Sequence, residues 1–323
     1  MSAGTTLDDV VRAVRRHPGL LGKDSIGLVT DVLGPTDWVS GPGDDAATVD
    51  VGTGTVVVGG EALWPPFVDA DPRAAGIAAI VANVNDLAAM GARPLGIVDT
   101  IVAPEATARL ALEGMAQAAA IYRVPIVGGH LTIRDGPASL SAFGIGEANR
   151  LLSSAKVAPG LVLLVVTCLD GSMRDDFAFF SSIRQRSDRL GDDVRALAEV
   201  AEAGLCVAAK DVSMAGVLGS LAMLLECSGA GAAIDLEALP RPGGVALARW
   251  ATAFPTFSFL LCAPPDLAEA CRGVFRRRGL DCERVGLLDG GGVIRLRLGG
   301  QERQLLDLRT EPVTGLDRAN RSM

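Results

Sequence analysis

One acidic and two amide side chains interrupt an otherwise apolar stretch near residue 85. Asn83, Asn85 and Asp86 lie in the segment from Asp71 to Gly91, DPRAAGIAAIVANVNDLAAMG. A carboxylate that is buried without a partner is very costly, so it is either paired or bound to a cation. Asn83 and Asp86, three residues apart, lie near one edge of a helix. They indicate a cation site; the alternative is that they hydrogen-bond a neighbouring loop.

The segment that carries these residues is predicted to be a helix with defined ends. Asp71 suits the N-cap, Pro72 the first turn, and Gly91 the left-handed stop before Pro94. Apolar residues recur at helical spacing, and most of the other positions are alanine rather than charge. We therefore expect this helix to pack on several sides.

Three further carboxylates flank two predicted strands, Thr48 to Val51 and Thr55 to Val58. Asp44 and Asp45 precede the first strand, and Glu61 follows the second. Adjacent carboxylates repel each other, so they are either spread into solvent or neutralised by a cation. Acids at the ends of two neighbouring strands favour the cation over a solvated turn.

The chain after the first helix alternates strands and helices. Leu95 to Val102 is an apolar strand interrupted by Asp99, Pro104 to Tyr122 is a helix, and Val124 to Val127 is a further strand. This order predicts a mixed α/β layer.

Four residues of the following GGHLT sequence are candidates for ligand contacts. Gly128 and Gly129 allow close approach of a ligand to the backbone, and His130 and Thr132 offer polar side chains beside it. His130 is one of only two histidines. The alternative is that it is an ordinary polar residue with hydrogen-bond partners.

The second half repeats the α/β pattern. A strand is predicted from Leu161 to Leu169 and a helix from Asp188 to Ala203. Asp211 is placed at the entrance to a helix from Ser213 to Cys227, where it is either a functional carboxylate or a cap. A helix from Pro265 to Gly279 follows.

Length and composition set further bounds. A chain of 323 residues is expected to form two domains, here 1–149 and 150–323, and the C-terminal tail from Glu311 is expected to be frayed.

The net charge of −8 argues against nucleic acid as a partner. The six cysteines are scattered, which is typical of reduced thiols in a cytoplasmic protein. The nearly uncharged run 212–233 contains Glu226, so a buried helix is expected rather than a membrane span.

Lys23 lies in a glycine-punctuated segment, HPGLLGKDSIG, that is predicted to be a loop. A lysine there is either solvated or a cation that closes over phosphates. The sequence does not separate these alternatives.

Four motifs occur in an order that resembles the AIR synthase-related superfamily. They are GDDAA (43–47), ANVNDLAAMGARP (82–94), VGGHLT (127–132) and KDVSMAG (210–216). The resemblance implies a two-domain α/β (α+β) fold whose N-terminal strands pair with those of a second subunit into a shared barrel. It also implies ATP held near the dimer interface by acids through Mg²⁺, which agrees with the lack of a GxxxxGK[ST] sequence.

Carried onto this chain, the resemblance implies roles for individual residues. The metal ligands would be Asp44, Asp45, Glu61, Asp86 and Asp211. Nucleotide contacts would come from Asn83, Gly128, Gly129 and Thr132, and phosphate positioning or acid–base chemistry from His130 and Lys23.

This sequence departs from the pattern of its relatives at several places. Glu61 stands where relatives usually carry Asp, and Met214 replaces the second acid of the DVSDG-like motif. No cysteine accompanies Lys23, as selenophosphate synthesis would need, and the terminal NRSM lacks the cysteine of the hydrogenase-maturation branch. An unassigned branch is expected.

The function expected is that of an ATP-binding, Mg²⁺-dependent enzyme that phosphorylates or activates a small-molecule substrate. A homodimer without a nucleic-acid or membrane partner is expected with it. Two alternatives remain: a nucleotide-binding partner protein that has lost turnover, and a purely structural α/β dimer.

Overall fold

The computed structural model describes residues 5–34, 43–52, 54–175 and 177–316. It divides into two compact units. The large unit comprises the described parts of Met1–Asp44, Leu152–Arg186 and Ala203–Met323, and the small unit comprises Asp45–Leu151 and Ser187–Glu202. The sequence suggests a single boundary at 149/150. The compact units differ from it because residues 1–44 group with the C-terminal half and residues 187–202 with the N-terminal half. The boundary between domains stays a prediction.

The elements run along the chain as follows. The α-helices are α1 (Leu7–Arg15), α2 (Pro18–Leu21), α3 (Gly27–Leu33), α4 (Pro65–Ala70), α5 (Pro72–Ala89), α6 (Glu105–Tyr122), α7 (Ile183–Arg186), α8 (Leu190–Glu202), α9 (Gly216–Glu226), α10 (Leu247–Thr252) and α11 (Ala268–Arg276). The strands are β1 (Ala47–Asp50), β2 (Thr55–Ala62), β3 (Arg93–Ala103), β4 (Ile126–Ile133), β5 (Ser139–Ala148), β6 (Val162–Thr167), β7 (Ser172–Met173), β8 (Phe179–Ser181), β9 (Ala208–Asp211), β10 (Gly231–Asp235), β11 (Phe254–Pro255), β12 (Ser258–Ala263), β13 (Asp281–Asp289), β14 (Val293–Leu298) and β15 (Gln301–Asp307). Short 3₁₀ helices span Gly22–Ile26, Ser154–Lys156 and Ser187–Arg189.

A five-stranded sheet in the order β1-β2-β5-β3-β4 forms the small unit. Strands β3 and β4 are parallel, and the other neighbours are antiparallel. Helices α5 and α6 pack on one face of this sheet, and α8 packs on both helices. The mixed α/β class predicted from the sequence is confirmed.

Helix α5 has the ends that its sequence predicts. The Asp71 carboxylate accepts a hydrogen bond from Ala74 N at 3.1 Å, and Pro72 occupies the first turn. Gly91, with a φ of 73°, ends the helix in the left-handed region. Twelve of the helix residues are buried, which confirms that it packs on several sides.

Helices α5 and α6 cross with their backbones in contact. A Cβ at Gly76 would lie 2.0 Å from Ala111 O, and a Cβ at Gly114 would lie 2.1 Å from Arg73 O. Any side chain at either glycine would force the helices apart. This close crossing fixes where α5 lies on the sheet.

The large unit is built on a seven-stranded sheet in the order β15-β14-β10-β13-β6-β12-β9, with a second sheet of β11, β8 and β7. Strands β6 and β12 are buried throughout, and so is helix α9. The burial of α9 agrees with the prediction for run 212–233, and no helix in the described ranges has the length and hydropathy to cross a membrane.

Two predictions about the termini of the chain are wrong. The segment around Lys23 is helical rather than a loop, because α2, the 3₁₀ helix Gly22–Ile26 and α3 follow one another. Of the tail that was predicted to be frayed from Glu311, residues 311–316 are held, and residues 317–323 lie outside the described residues. The carboxylate of Glu226, which is 1% exposed, accepts hydrogen bonds from Thr314 N at 2.8 Å, Thr314 Oγ1 at 3.0 Å and Gly315 N at 3.1 Å.

Candidate metal and nucleotide site

Two predicted metal ligands lie together in the small unit. A carboxylate oxygen of Asp45 lies within 4.8 Å of one of Asp86. Asp86 projects from α5 and is 8% exposed, whereas Asp45 is half-buried just before β1. Two carboxylates this close repel each other unless a cation lies between them. Oxygen pairs of this kind are ligands that Mg²⁺ prefers.

Asn83 is fixed one turn before Asp86 on the same helix. Its Nδ2 donates to Ala79 O at 2.8 Å and to Ala142 O at 3.1 Å, so the amide ties α5 to the middle of β5. The side chain is fully buried, and its Oδ1 has no hydrogen-bond partner among the described residues. An acceptor in this position is costly unless a ligand donates to it.

The sheet beneath α5 carries two further carboxylates in one row. Glu61 on β2 and Asp99 on β3 both pair with Ala142 of β5, so the three side chains lie on the same face. Glu61 is exposed, whereas Asp99 is 7% exposed. Burial raises the pKa of Asp99 above its ordinary value. The sequence marked Asp99 only as an interruption of an apolar strand.

The GGHLT residues lie within β4 rather than in a loop after it. Gly129 pairs with Asp99, and a Cβ at Gly129 would lie 2.7 Å from Asp99 Oδ2. The glycine therefore makes room for a carboxylate of its own unit. His130 pairs with Thr100 across the sheet, and its Nε2 lies 3.1 Å from Thr132 Oγ1.

Asp44 lies in the large unit, and both of its carboxylate oxygens accept hydrogen bonds. Ser153 Oγ donates to Oδ2 at 2.7 Å, and Ser154 N donates to Oδ1 at 2.6 Å. Asp44 thus anchors the GDD sequence, and no sequence motif pointed to the two serines.

Asp211 is the last residue of β9 in the large unit and is 7% exposed. Helix α9 begins only at Gly216, so the prediction that Asp211 stands directly at the helix entrance is wrong. The neighbouring Lys210 is buried, and its Nζ donates to Gly43 O at 3.5 Å. Met214 packs on the N-terminal segment, because a Cβ at Gly19 would lie 3.0 Å from Met214 Cβ.

Lys23 is half-buried in its 3₁₀ helix in the large unit. It makes no hydrogen bond or ion pair with any residue in the described ranges. Its predicted contact with phosphate therefore stays a prediction.

Comparison with family models gives two matches. Residues 43–148 match the model described as AIR synthase related protein, N-terminal domain, and residues 160–299 match the C-terminal domain of the same family. Together these matches span more than half of the chain.

Curated relatives match between two thirds and almost all of the chain. An uncharacterized protein of Synechocystis sp. is 31% identical over 96% of this chain and 98% of its own length. Selenide, water dikinase of Myxococcus xanthus is 29% identical over 66% of each chain. The phosphoribosylformylglycinamidine synthase subunit PurL of Thermomicrobium roseum is 26% identical over 81% of this chain but 39% of its own length.

Solved structures agree on the fold. T. maritima PurL in complex with ADP matches with a TM-score of 0.77 and 20% identity, over 96% of this chain and 52% of that one. This chain therefore spans about half the length of PurL. AaThiL in complex with AMPPCP and TMP matches with a TM-score of 0.67 and 18% identity, over 86% and 95% of the two chains. The chain belongs to the AIR synthase related protein family.

Proposed function

We propose that this protein is an ATP-binding, Mg²⁺-dependent enzyme that phosphorylates or activates an oxygen of a small-molecule substrate. The observation that carries the proposal is the approach of Asp45 and Asp86 within 4.8 Å in the small unit. It is supported by relatives whose structures hold ATP, ADP or AMPPCP.

The residues divide into holding and positioning roles. Asp45 and Asp86 would hold Mg²⁺, with Glu61 and Asp211 as the further ligands that the resemblance implies. Bound Mg²⁺ would neutralise the charge that develops on the transferred phosphoryl group. Asn83, whose Nδ2 ties α5 to β5, would position the helix that carries Asp86. Asp44, whose oxygens are occupied by Ser153 and Ser154, would fix the backbone that presents Asp45.

The residues of β4 keep the roles that the resemblance implies. Gly128 and Thr132 would contact the nucleotide, and His130 and Lys23 would position phosphate or transfer a proton. Gly129 is better explained by the space it leaves for Asp99.

ADP formation from ATP tests the proposal. Wild-type protein should release ADP slowly with Mg²⁺, and Asp86→Ala should abolish the release because it removes one of the paired carboxylates. Asp50→Ala, at the far end of β1, is the matched control and should keep the wild-type rate. Nucleotide binding without any turnover in the wild type would favour the alternative, a partner protein that has lost catalysis.

We also propose a homodimer that pairs through the small unit. Strand β4 forms one edge of the sheet, and Val127, Leu131 and Ile133 on it are 60%, 50% and 51% exposed. An apolar edge strand of this kind is a template for pairing with another chain. Light scattering should give the dimer mass for the wild type and the monomer mass for Leu131→Lys.

A reducing compartment, and hence a cytoplasmic location, stays part of the proposal. All six cysteines are free thiols, and five of them are buried. This pattern is typical of proteins that do not rely on disulfides.

A further inference from the structure

Asp99 is a buried carboxyl that the proposed ATP and Mg²⁺ chemistry does not use. It is 7% exposed and makes no hydrogen bond or ion pair with any residue the structure describes. A carboxyl in this setting costs free energy unless a ligand supplies a donor. The small exposed fraction leaves it reachable from solvent.

A second acceptor, Asn83 Oδ1 on α5, also lacks a donor among the described residues. The Nδ2 of Asn83 donates to two carbonyl oxygens, those of Ala79 and Ala142, and this fixes which end of the amide is Oδ1. That Oδ1 is buried and has no partner among the described residues. Asp99 and Asn83 Oδ1 are thus both acceptors of the small unit that receive no hydrogen bond from the described residues.

Both acceptors adjoin the same residue on the same face of the sheet. Asn83 bonds to Ala142, and Asp99 is the residue directly opposite Ala142 on β3. Side chains directly opposite in antiparallel strands have Cβ atoms about 4.5–5.5 Å apart. A Cβ at Gly144 would lie 3.2 Å from Asn83 Cβ, so α5 covers the face that carries Asp99.

We propose that Asp99 and Asn83 Oδ1 form a subsite that binds a cationic group bearing N–H donors, a protonated amine or amidine, on the substrate that ATP activates or on its nitrogen partner. This subsite deepens the proposed function. It rests on that function for the statement that the cationic group belongs to the substrate or to its nitrogen partner. A carboxylate beside a neutral acceptor favours a positive group with several donors over a neutral or anionic one.

Gly129 completes the subsite. A Cβ there would lie 2.7 Å from Asp99 Oδ2 and 2.8 Å from Asp99 O, so the glycine keeps the carboxylate in its place. By contrast, the nearest atom to a Cβ at Gly128 is Val98 Cγ1 at 3.9 Å. The two glycines therefore offer a test residue and a control on the same strand.

Thermal unfolding with two small probes of the same shape tests the proposal. Acetamidinium chloride presents N–H donors and a positive charge, whereas sodium acetate presents only acceptors and a negative charge. Without nucleotide or Mg²⁺, millimolar acetamidinium should raise the melting temperature of the wild type, and acetate at equal ionic strength should not. Asp99→Asn and Gly129→Ala should lose the acetamidinium shift, whereas Gly128→Ala and Asp281→Asn, which lies in the large unit, should keep it.

Asp86→Asn separates this inference from the proposed function. This variant should keep the acetamidinium shift while it loses binding of AMPPCP with Mg²⁺, so the two proposals fail independently. The subsite is overturned if acetamidinium gives no shift in the wild type or an equal shift in Asp99→Asn. It is also overturned if MgCl₂ alone gives a shift that depends on Asp99 while acetamidinium gives none.

Discussion

The carboxylate of Asp99 lies against the α-carbon of Gly129 on the neighbouring strand, where a Cβ would be 2.7 Å from Oδ2. Double glycines before a polar residue are commonly interpreted as a place where a ligand meets the backbone. Here the second glycine, Gly129, has a structural role within its own unit. Because it has no Cβ, it leaves space for the buried carboxyl of Asp99 between β3 and β4. The small unit therefore carries a buried carboxyl in addition to the Asp45–Asp86 pair.

We predict that Gly129→Ala destabilises the protein by about 1–3 kcal/mol, the usual cost of overpacking. Gly128→Ala should change the free energy of unfolding much less, because its Cβ meets only an ordinary contact with Val98 at 3.9 Å. Urea unfolding of both variants measures the difference. Equal stability of the two variants would show that Asp99 does not occupy this place.

Asp99 should also make stability depend on pH. Burial raises its pKa in the folded state, so the folded protein holds the proton more tightly than the unfolded chain. The resulting stabilisation is present at low pH and is lost as the pH rises through the folded pKa. At neutral pH, Asp99→Asn should therefore raise the melting temperature by a few degrees.

The measurement is a set of melting curves at several pH values for wild type and Asp99→Asn. The gap between the two proteins should widen as the pH rises from acid to neutral. Asp281, whose pKa burial also raises, is present in both proteins and cancels. A constant gap would mean that the Asp99 pKa is the same in the folded and unfolded states.

The sequence predicted some elements well because local signals agreed with the packing. Helix α5 combines an aspartate cap, a proline in its first turn and a terminal glycine, and it begins and ends where these indicate. Strand β13 was missed because a bulge between Arg284 and Gly286 breaks its alternation. Strand β15 was missed because Gln301 to Gln304 are exposed polar residues at a sheet edge.

In the candidate site, too, some features could be predicted from the sequence and others depend on tertiary structure. Asp45 and Asp86 were proposed as metal ligands from the cost of their charge together with the family resemblance, and they lie within 4.8 Å of each other. Their role as ligands stays a prediction. The bonds from Ser153 and Ser154 to Asp44 join residues more than 100 positions apart, and only tertiary structure reveals such pairs. The place of Asp99 beside Gly129 depends on strand register, which the sequence did not specify.

Asp44 should act through its hydrogen bonds with Ser153 and Ser154. Asp44→Ala is expected to lower the free energy of unfolding by about 1–3 kcal/mol, because it leaves the Ser154 N–H without its acceptor. Ser153→Ala should cost less, since it removes one bond. A double-mutant cycle of the two should give a coupling of about 0.5–3 kcal/mol; strict additivity would argue against the contact.

The C-terminal segment depends on Glu226. In the wild type, the Glu226 carboxylate accepts hydrogen bonds from Thr314 N, Thr314 Oγ1 and Gly315 N. Glu226→Gln replaces one carboxylate oxygen by an N–H₂ group, which cannot accept from these donors. We expect a loss of about 1.5–3 kcal/mol, the range for hydrogen bonds to a charged group. Hydrogen exchange should become faster at Thr314 and Gly315. Glu237→Gln, on an exposed turn, serves as the control and should change neither quantity.

The central claim, that the acids of the small unit hold a nucleotide through Mg²⁺, is tested most directly by calorimetric titration with AMPPCP. The wild type should bind AMPPCP with micromolar affinity when Mg²⁺ is present and far more weakly when it is absent. Asp86→Asn, which keeps the shape of the side chain and removes its charge, should lose the Mg²⁺-dependent binding. Binding that is unchanged without Mg²⁺ or in Asp86→Asn, or no binding at millimolar AMPPCP, would contradict the account.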